Sequence, residues 1–294
     1  MNARDFARRA FRRLSARKPS VSARQRRLGT KRYRVPGRFG DVLAFEHNYE
    51  PWLDPIFAFL LKISDGTVID VGANRGQTLA KILRIDPARG YIGFEPQPIC
   101  AAFIERFIKD NQLLNARLVP VGLSNQTGLA EIHFGREQTA DTTASLVRAF
   151  RPNDFYTHTA FVPVFQGDTV LEQLAPGTIA AIKVDVEGGE LEVLQGFSAT
   201  MKAQQPPIVF EVLNNYLAAS RRALDPETIA FRSARIESLQ ALLHQHGYRI
   251  FNIRGGQLHD CEKISPATTG DLSITDYLAI PKALARDLPA HLKV

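Results

Sequence analysis

Cysteine, methionine and tryptophan are scarce in this chain: two, two and one among 294 residues. Cys100 and Cys261 stand far apart and belong to no metal-ligand spacing. That excludes a disulfide framework and a cysteine zinc site, and it suits a reducing compartment. Long apolar runs are missing as well. The longest, Ile56 to Leu61, falls far short of the ~20 residues needed to span a bilayer. The N-terminal residues contain no apolar core of the kind a secretory leader carries. Together these absences predict a cytoplasmic protein.

Acidic residues are almost absent from one region. Residues 1–40 hold 14 Lys/Arg and a single acid, Asp5, whereas residues 41–294 hold 23 Lys/Arg and 29 acids. The net charge of +7 therefore belongs to the tail, and an acidic body argues against a broad nucleic-acid surface. The tail predicts either a disordered extension or a membrane-surface helix. In the latter, Phe6, Ala10, Phe11 and Leu14 would share a face among arginines. An organellar transit peptide has a similar Arg-rich, acid-poor composition. The expected division is a basic extension over 1–40, peripheral at an anionic membrane if it binds one, and a single domain over 41–294. The 45% hydrophobic content is ample for one large core.

What is present starts with Thr67-Val68-Ile69-Asp70-Val71-Gly72-Ala73-Asn74-Arg75-Gly76. A β-branched run ends in an aspartate, a glycine turn follows, and a helical pattern begins. A dinucleotide fingerprint requires three glycines in G-x-G-x-x-G. Here Asn74 replaces the central one, which favours a ligand without a pyrophosphate. S-adenosylmethionine fits: Asp70 is placed to meet its cationic groups, directly or through water, and the turn amides its carboxylate. A second run, Tyr91 to Phe94, ends in Glu95-Pro96. Glu95 lies 19 residues after Gly76, close to the offset of ~20 at which an acid meets a ribose. A third, Ile182-Lys183-Val184-Asp185-Val186-Glu187-Gly188-Gly189-Glu190, crowds charges at the mouth of a strand. Such charges must serve one another or a ligand.

Strands are expected at 67–71, 91–94, 116–121, 179–184, 208–212, 248–253 and 277–280, alternating with helices at 51–63, 77–85, 97–111, 191–197 and 232–247. This predicts an α/β fold with a doubly wound, mainly parallel, seven-stranded sheet. Ile99, Phe103, Phe107 and Ile108 are the expected core face of 97–111. Extra strands at 130–134 and 160–165 predict a β-rich insertion, and Gly122-Leu123-Ser124-Asn125 reads as a turn.

With these stretches in hand, the chain resembles the FkbM-type methyltransferases, a Rossmann-like class I S-adenosylmethionine-dependent group. The resemblance covers about Tyr49 to Val212. It rests on Val68 to Gly76, Phe94-Glu95-Pro96, Val121-Gly122-Leu123-Ser124 and, most specifically, Ile182 to Gly196. It implies S-adenosylmethionine as cofactor, with Asp70, Gly72, Asn74, Gly76, Glu95, Pro96, Ser124 and Asp185 at its site. It also implies O-methylation of a hydroxyl on a sugar, glycan or natural product. Asp185 is the first candidate base, with Glu187 and Glu211 behind it and Lys183 as its charge partner. His158 is a weaker candidate. Asp185, Glu211, Asn214 and Asn215 are oxygen donors that magnesium could use, but hydrogen-bonded carboxylates without a metal are the expectation. The loop from Gly135 to Phe161, with Arg136, Arg148 and Arg151, is expected to shape the acceptor pocket. Competing readings are a nucleic-acid or protein methyltransferase that uses the tail, and a non-catalytic S-adenosylmethionine-binding scaffold. The first lacks the Asn/Asp-Pro-Pro-aromatic motif after the fourth strand, and the second would be expected to lose Asp70 or Glu95.

Overall fold

The structure is a computed structural model and describes residues 24–37, 49–135, 141–151, 155–213, 226–265 and 271–294. The chain opens with β1 (Arg24–Leu28) and β2 (Lys31–Val35), then α1 (Asp54–Ile63), β3 (Thr67–Val71), α2 (Gln77–Ile85), β4 (Tyr91–Phe94), α3 (Pro98–Asp110) and β5 (Ala116–Val119). An insertion follows, made of β6 (Gly122–Ser124), β7 (Gly128–Phe134) and β8 (His158–Gln166). The second half holds α4 (Gly167–Leu174), β9 (Ile179–Val184), α5 (Glu190–Gly196), α6 (Ser198–Ala203), β10 (Ile208–Glu211), α7 (Pro226–Gln245), β11 (Tyr248–Arg254), β12 (Gln257–Asp260) and β13 (Asp276–Pro281).

The main sheet runs β12-β11-β13-β10-β9-β3-β4-β5. From β10 to β5 the pairs are parallel, while β13 is antiparallel to both its neighbours and β12 to β11. The central strands are apolar because both their faces are covered. Val68 points into one core with Leu79, Ile82, Ile104 and Phe107; Ile69 and Val71 point into the other with Leu194, Phe197, Leu239 and Leu243. Each such side chain contributes roughly 1.5–3 kcal/mol by leaving water. Strand order reverses between β3 and β9, and ligands of open α/β sheets bind at the carboxyl ends of such strands.

Three expectations need correction. The sheet has eight strands, because Gly255 and Gly256, both at positive φ, close a tight hairpin that adds β12. Gly122–Ser124 is not a turn but a strand paired in parallel with β8. The basic extension does not run unbroken to residue 40: β1 and β2 form a hairpin that buries Leu28, Tyr33 and Val35 in the main core. Alternation of arginine with apolar residues is a strand pattern, and the charge count obscured it. Residues 1–23 lie outside the described residues. Within α3 the buried face is Cys100, Ala101, Ile104 and Phe107, while Ile99 is exposed. No helix among the described residues is long and apolar enough to cross a membrane.

Candidate active site

The turn after β3 is shaped by residues that accept left-handed backbone. Gly72 has φ +86°, Asn74 +46° and Gly76 +79°. A Cβ on Gly72 would stand 1.8 Å from the Asp185 carbonyl oxygen, so glycine alone lets this turn meet the end of β9. The Gly72 and Ala73 amides both donate to the Phe94 carbonyl at 3.0 Å, which ties the turn to β4. Gly76 is the N-cap of α2 and does not reach the cavity wall.

Glu95 follows β4 and is almost fully buried. Its Oε2 accepts the Asn74 amide at 2.7 Å and its Oε1 the Gln97 amide at 2.8 Å. Burial pushes its carboxyl up to about 7, against the pull of those two amides. Asp70 lies behind the wall and has no surface on the cavity. Its Oδ2 accepts from the Tyr91 hydroxyl at 2.5 Å, and burial raises its carboxyl to about 6. The Tyr91 bond thus ties the end of β3 to β4.

The third stretch brings carboxylates together. Ligand atoms of Asp185, Glu187 and Glu211 all lie within 4.8 Å of one another. Each has its own partner: Lys183 Nζ donates to Asp185 at 2.8 Å, Arg151 pairs with Glu187, and the Thr275 hydroxyl donates to Glu211 at 2.9 Å. Burial, opposed by Arg151, takes Glu187 up to about 8. Burial and the nearby Asp185, Asp276 and Glu187 hold Glu211 well above the usual carboxylate range. Glu187 itself has φ +55° and precedes Gly188 at +101°, so the chain turns sharply where the charges converge. A hard cation could use these three donors; Asn214 and Asn215 lie outside the described residues.

These groups line one cavity of about 800 Å³. Gly72, Asn74, Glu95, Pro96 and Ser124 line it together with Lys183, Asp185, Glu187 and Glu211. The insertion supplies more wall through Thr142, Ala144, Leu146 and Arg148. It is anchored by Gln97, which donates to the Asp141 carbonyl at 2.9 Å and accepts the Asp141 amide at 3.0 Å. Arg151 is buried on Glu187 rather than aimed at a ligand. His158 stacks on Phe134 at 4.6 Å, away from the wall. Arg136 lies outside the described residues.

A family model for the methyltransferase FkbM domain matches residues 70–250, well over half of the chain. The chain belongs to the FkbM methyltransferase family. As a member it takes S-adenosylmethionine as its methyl donor. Among curated proteins none matches the chain. Among solved structures, methyltransferase FkbM from Methylobacillus flagellatus KT is 16% identical over 73% of this chain, with a TM-score of 0.41. This chain spans only 43% of that protein. An O-methyltransferase from Bacillus cereus, solved with S-adenosylhomocysteine, is 11% identical over 84% of this chain and 93% of its own, at 0.44. Aeropyrum pernix fibrillarin with natively bound S-adenosyl-L-methionine is 12% identical over 90% and 85%, at 0.40. At such TM-scores these likenesses add no weight to the family match.

The FkbM site fits its donor in size and chemistry. The cavity of about 800 Å³ has room for a ligand of several hundred Å³ and a second molecule beside it. Sequence reasoning missed Tyr49, Glu50, Gln77, Thr78 and Leu272 on the wall. Thr78 could have been found, since it falls in the first turn after the glycine motif. Tyr49, Glu50 and Leu272 come from distant segments without any motif.

Proposed function

We propose that this FkbM methyltransferase methylates a hydroxyl of a sugar, glycan or natural-product acceptor. The observation that carries the reading is the convergence of Asp185, Glu187 and Glu211, beside Lys183, on the wall shared with Glu95. In this reading Glu95 holds the donor's ribose, the Gly72–Asn74 turn and Ser124 pack around the donor, and Pro96 fixes the loop. Bound S-adenosylmethionine supplies an electrophilic methyl on a sulfonium.

The remaining work belongs to the chain. An alcohol must lose its proton as it attacks, and Asp185 Oδ is the acceptor we assign to it. Lys183 Nζ orients that carboxylate through its 2.8 Å bond. Glu187 and Glu211, whose carboxyls burial raises, stand beside it and face the acceptor's other oxygens. Holding two reactants in line supplies ~7–11 kcal/mol of the barrier in well-oriented systems. No metal enters this reading, because each carboxylate already has a partner. The acidic wall also disfavours a phosphate-rich acceptor.

The test is a screen of the full chain with S-adenosylmethionine against hydroxyl-bearing sugars, glycans and polyketides, read by mass spectrometry. Gain of one methyl on an oxygen supports the reading. Transfer only to nucleic acid, protein or an amine would overturn it, as would donor binding with no transfer to any class.

A further inference from the structure

The β1–β2 hairpin has two unlike faces. One buries Leu28, Tyr33 and Val35 against the domain. The other carries Gln25, Arg27, Arg32 and Arg34, all exposed. Arg27 stands directly opposite Arg32, and Arg34 opposite Gln25. Like charges paired across a ladder destabilise it, and ordinary surfaces mix the two signs. Among the described residues none of these three arginines pairs with an acid. Exposed Lys31 adds to the same end of the hairpin.

The position of the hairpin matters as much as its charge. Its turn residue Gly29 sits against the Arg84 backbone, near the end of α2. The Arg34 amide donates to Asn111 Oδ1 at 2.6 Å, and Asn111 Nδ2 donates back to the Arg34 carbonyl at 2.7 Å, just beyond α3. Both helices begin at the cavity, where Gln77, Thr78 and Gln97 line the wall. They are 9 and 13 residues long, which at 1.5 Å per residue is about 14 and about 20 Å. The arginine face therefore lies at the pole opposite the cavity.

We propose that this face docks the protein on an anionic lipid bilayer and leaves the cavity open. A flat cationic ribbon at one pole complements a plane of negative headgroups. The sequence leading into it interleaves Phe6, Phe11 and Leu14 with arginines. A bilayer interface accepts both residue types, and stable attachment requires more than one such signal. A nucleic-acid backbone would use only the arginines.

The experiment is co-sedimentation of the full chain with phosphatidylcholine vesicles, with and without phosphatidylserine. The wild type is expected to bind the phosphatidylserine vesicles, with binding that falls steeply as salt rises. R27Q/R32Q/R34Q weakens binding by about fivefold per arginine, whereas R27K/R32K/R34K stays within about twofold of wild type. Both variants keep the wild-type S-adenosylmethionine affinity, since the face touches neither core nor cavity, and the glutamine variant, relieved of the Arg27–Arg32 repulsion, does not lose Tm. Should the glutamine variant unfold, the salt titration of the wild type and the lysine variant decides alone. The proposal is overturned by glutamine-variant binding equal to wild type, by equal binding to neutral vesicles, by salt-independent binding, or by preference for duplex DNA over vesicles.

Discussion

Glu95 Oε2 accepts the Asn74 amide at 2.7 Å, and this bond joins the turn after β3 to the loop after β4. Its other oxygen holds the Gln97 amide, and Gln97 in turn holds Asp141 of the insertion. One carboxylate thus ties together three segments of the cavity wall. Replacing Glu95 by alanine leaves two amides without their acceptor, at about 1–3 kcal/mol each where they are buried. We expect Glu95→Ala to lower Tm and to weaken S-adenosylmethionine binding by at least about tenfold. Glu95→Gln, which keeps one acceptor oxygen, should fall between the two. Calorimetric titration and thermal unfolding check both; an alanine variant with wild-type affinity would remove Glu95 from the site.

Gly72 is a position where a side chain cannot be tolerated. A Cβ there meets the Asp185 carbonyl oxygen at 1.8 Å, whereas a Cβ on Gly177, also at positive φ, meets nothing within 4 Å. Gly177→Ala carries only the left-handed backbone penalty of roughly 1–2 kcal/mol. Gly72→Ala adds separation of β3 from β9, and its total should exceed about 3 kcal/mol. Urea unfolding of the two variants side by side measures the difference. Similar losses in both would mean that the close approach of turn and strand end is not needed.

The buried glutamates predict an unusual pH response. Burial takes Glu95 and Glu190 to about 7 and Glu187 to about 8, from an ordinary 4.5. With the native pKa raised, the folded state keeps protons that the unfolded chain has already lost. The stability these protons represent is complete below about 4.5 and is lost as pH rises to about 8. Glu190 Oε1 accepts the Gly188 amide at 3.1 Å, a role that a glutamine oxygen can fill. Glu190→Gln should therefore fold and show a flatter decline of Tm between about pH 5 and about pH 8 than wild type. Parallel Tm profiles for the two proteins would contradict the assignment.

Asp185 is assigned to proton removal, with Lys183 as its orienting partner. Asp185→Asn should lower kcat by about 100-fold or more while leaving donor affinity nearly unchanged. Lys183→Met should also lower kcat, with a smaller effect. A chelator should leave turnover intact, because Lys183, Arg151 and Thr275 already partner the three carboxylates. Steady-state kinetics with and without chelator, once an acceptor is in hand, separates these effects. Loss of activity restored by magnesium would convert the cluster into a metal site.

Much of this was legible from local pattern. The strand–turn–helix at Thr67 to Ile85, Glu95 after its strand, and the charged run from Lys183 to Glu190 each stand where the sequence pointed. Buried parallel strands are apolar on both faces, and glycine turns leave a clear signature. The surroundings of Asp70 were not legible, because a strand-end acid reads the same whether or not it also meets, as here, the Tyr91 hydroxyl behind it. Which way it faces depends on a neighbouring strand. His158 stacking on Phe134 and Arg151 buried on Glu187 are likewise tertiary outcomes. The hairpin at Arg24–Val35 was hidden because its arginines dominate the charge count, although Tyr33 and Val35 alternate with arginines in its second strand.

The most direct test of the central claim is hydrogen–deuterium exchange of the full chain with and without S-adenosylmethionine. The account predicts protection at residues 71–78, 94–97, 121–125 and 184–189, which line or support the cavity. Binding without protection at these segments, or with protection confined to the hairpin or to β11–β12, would contradict it.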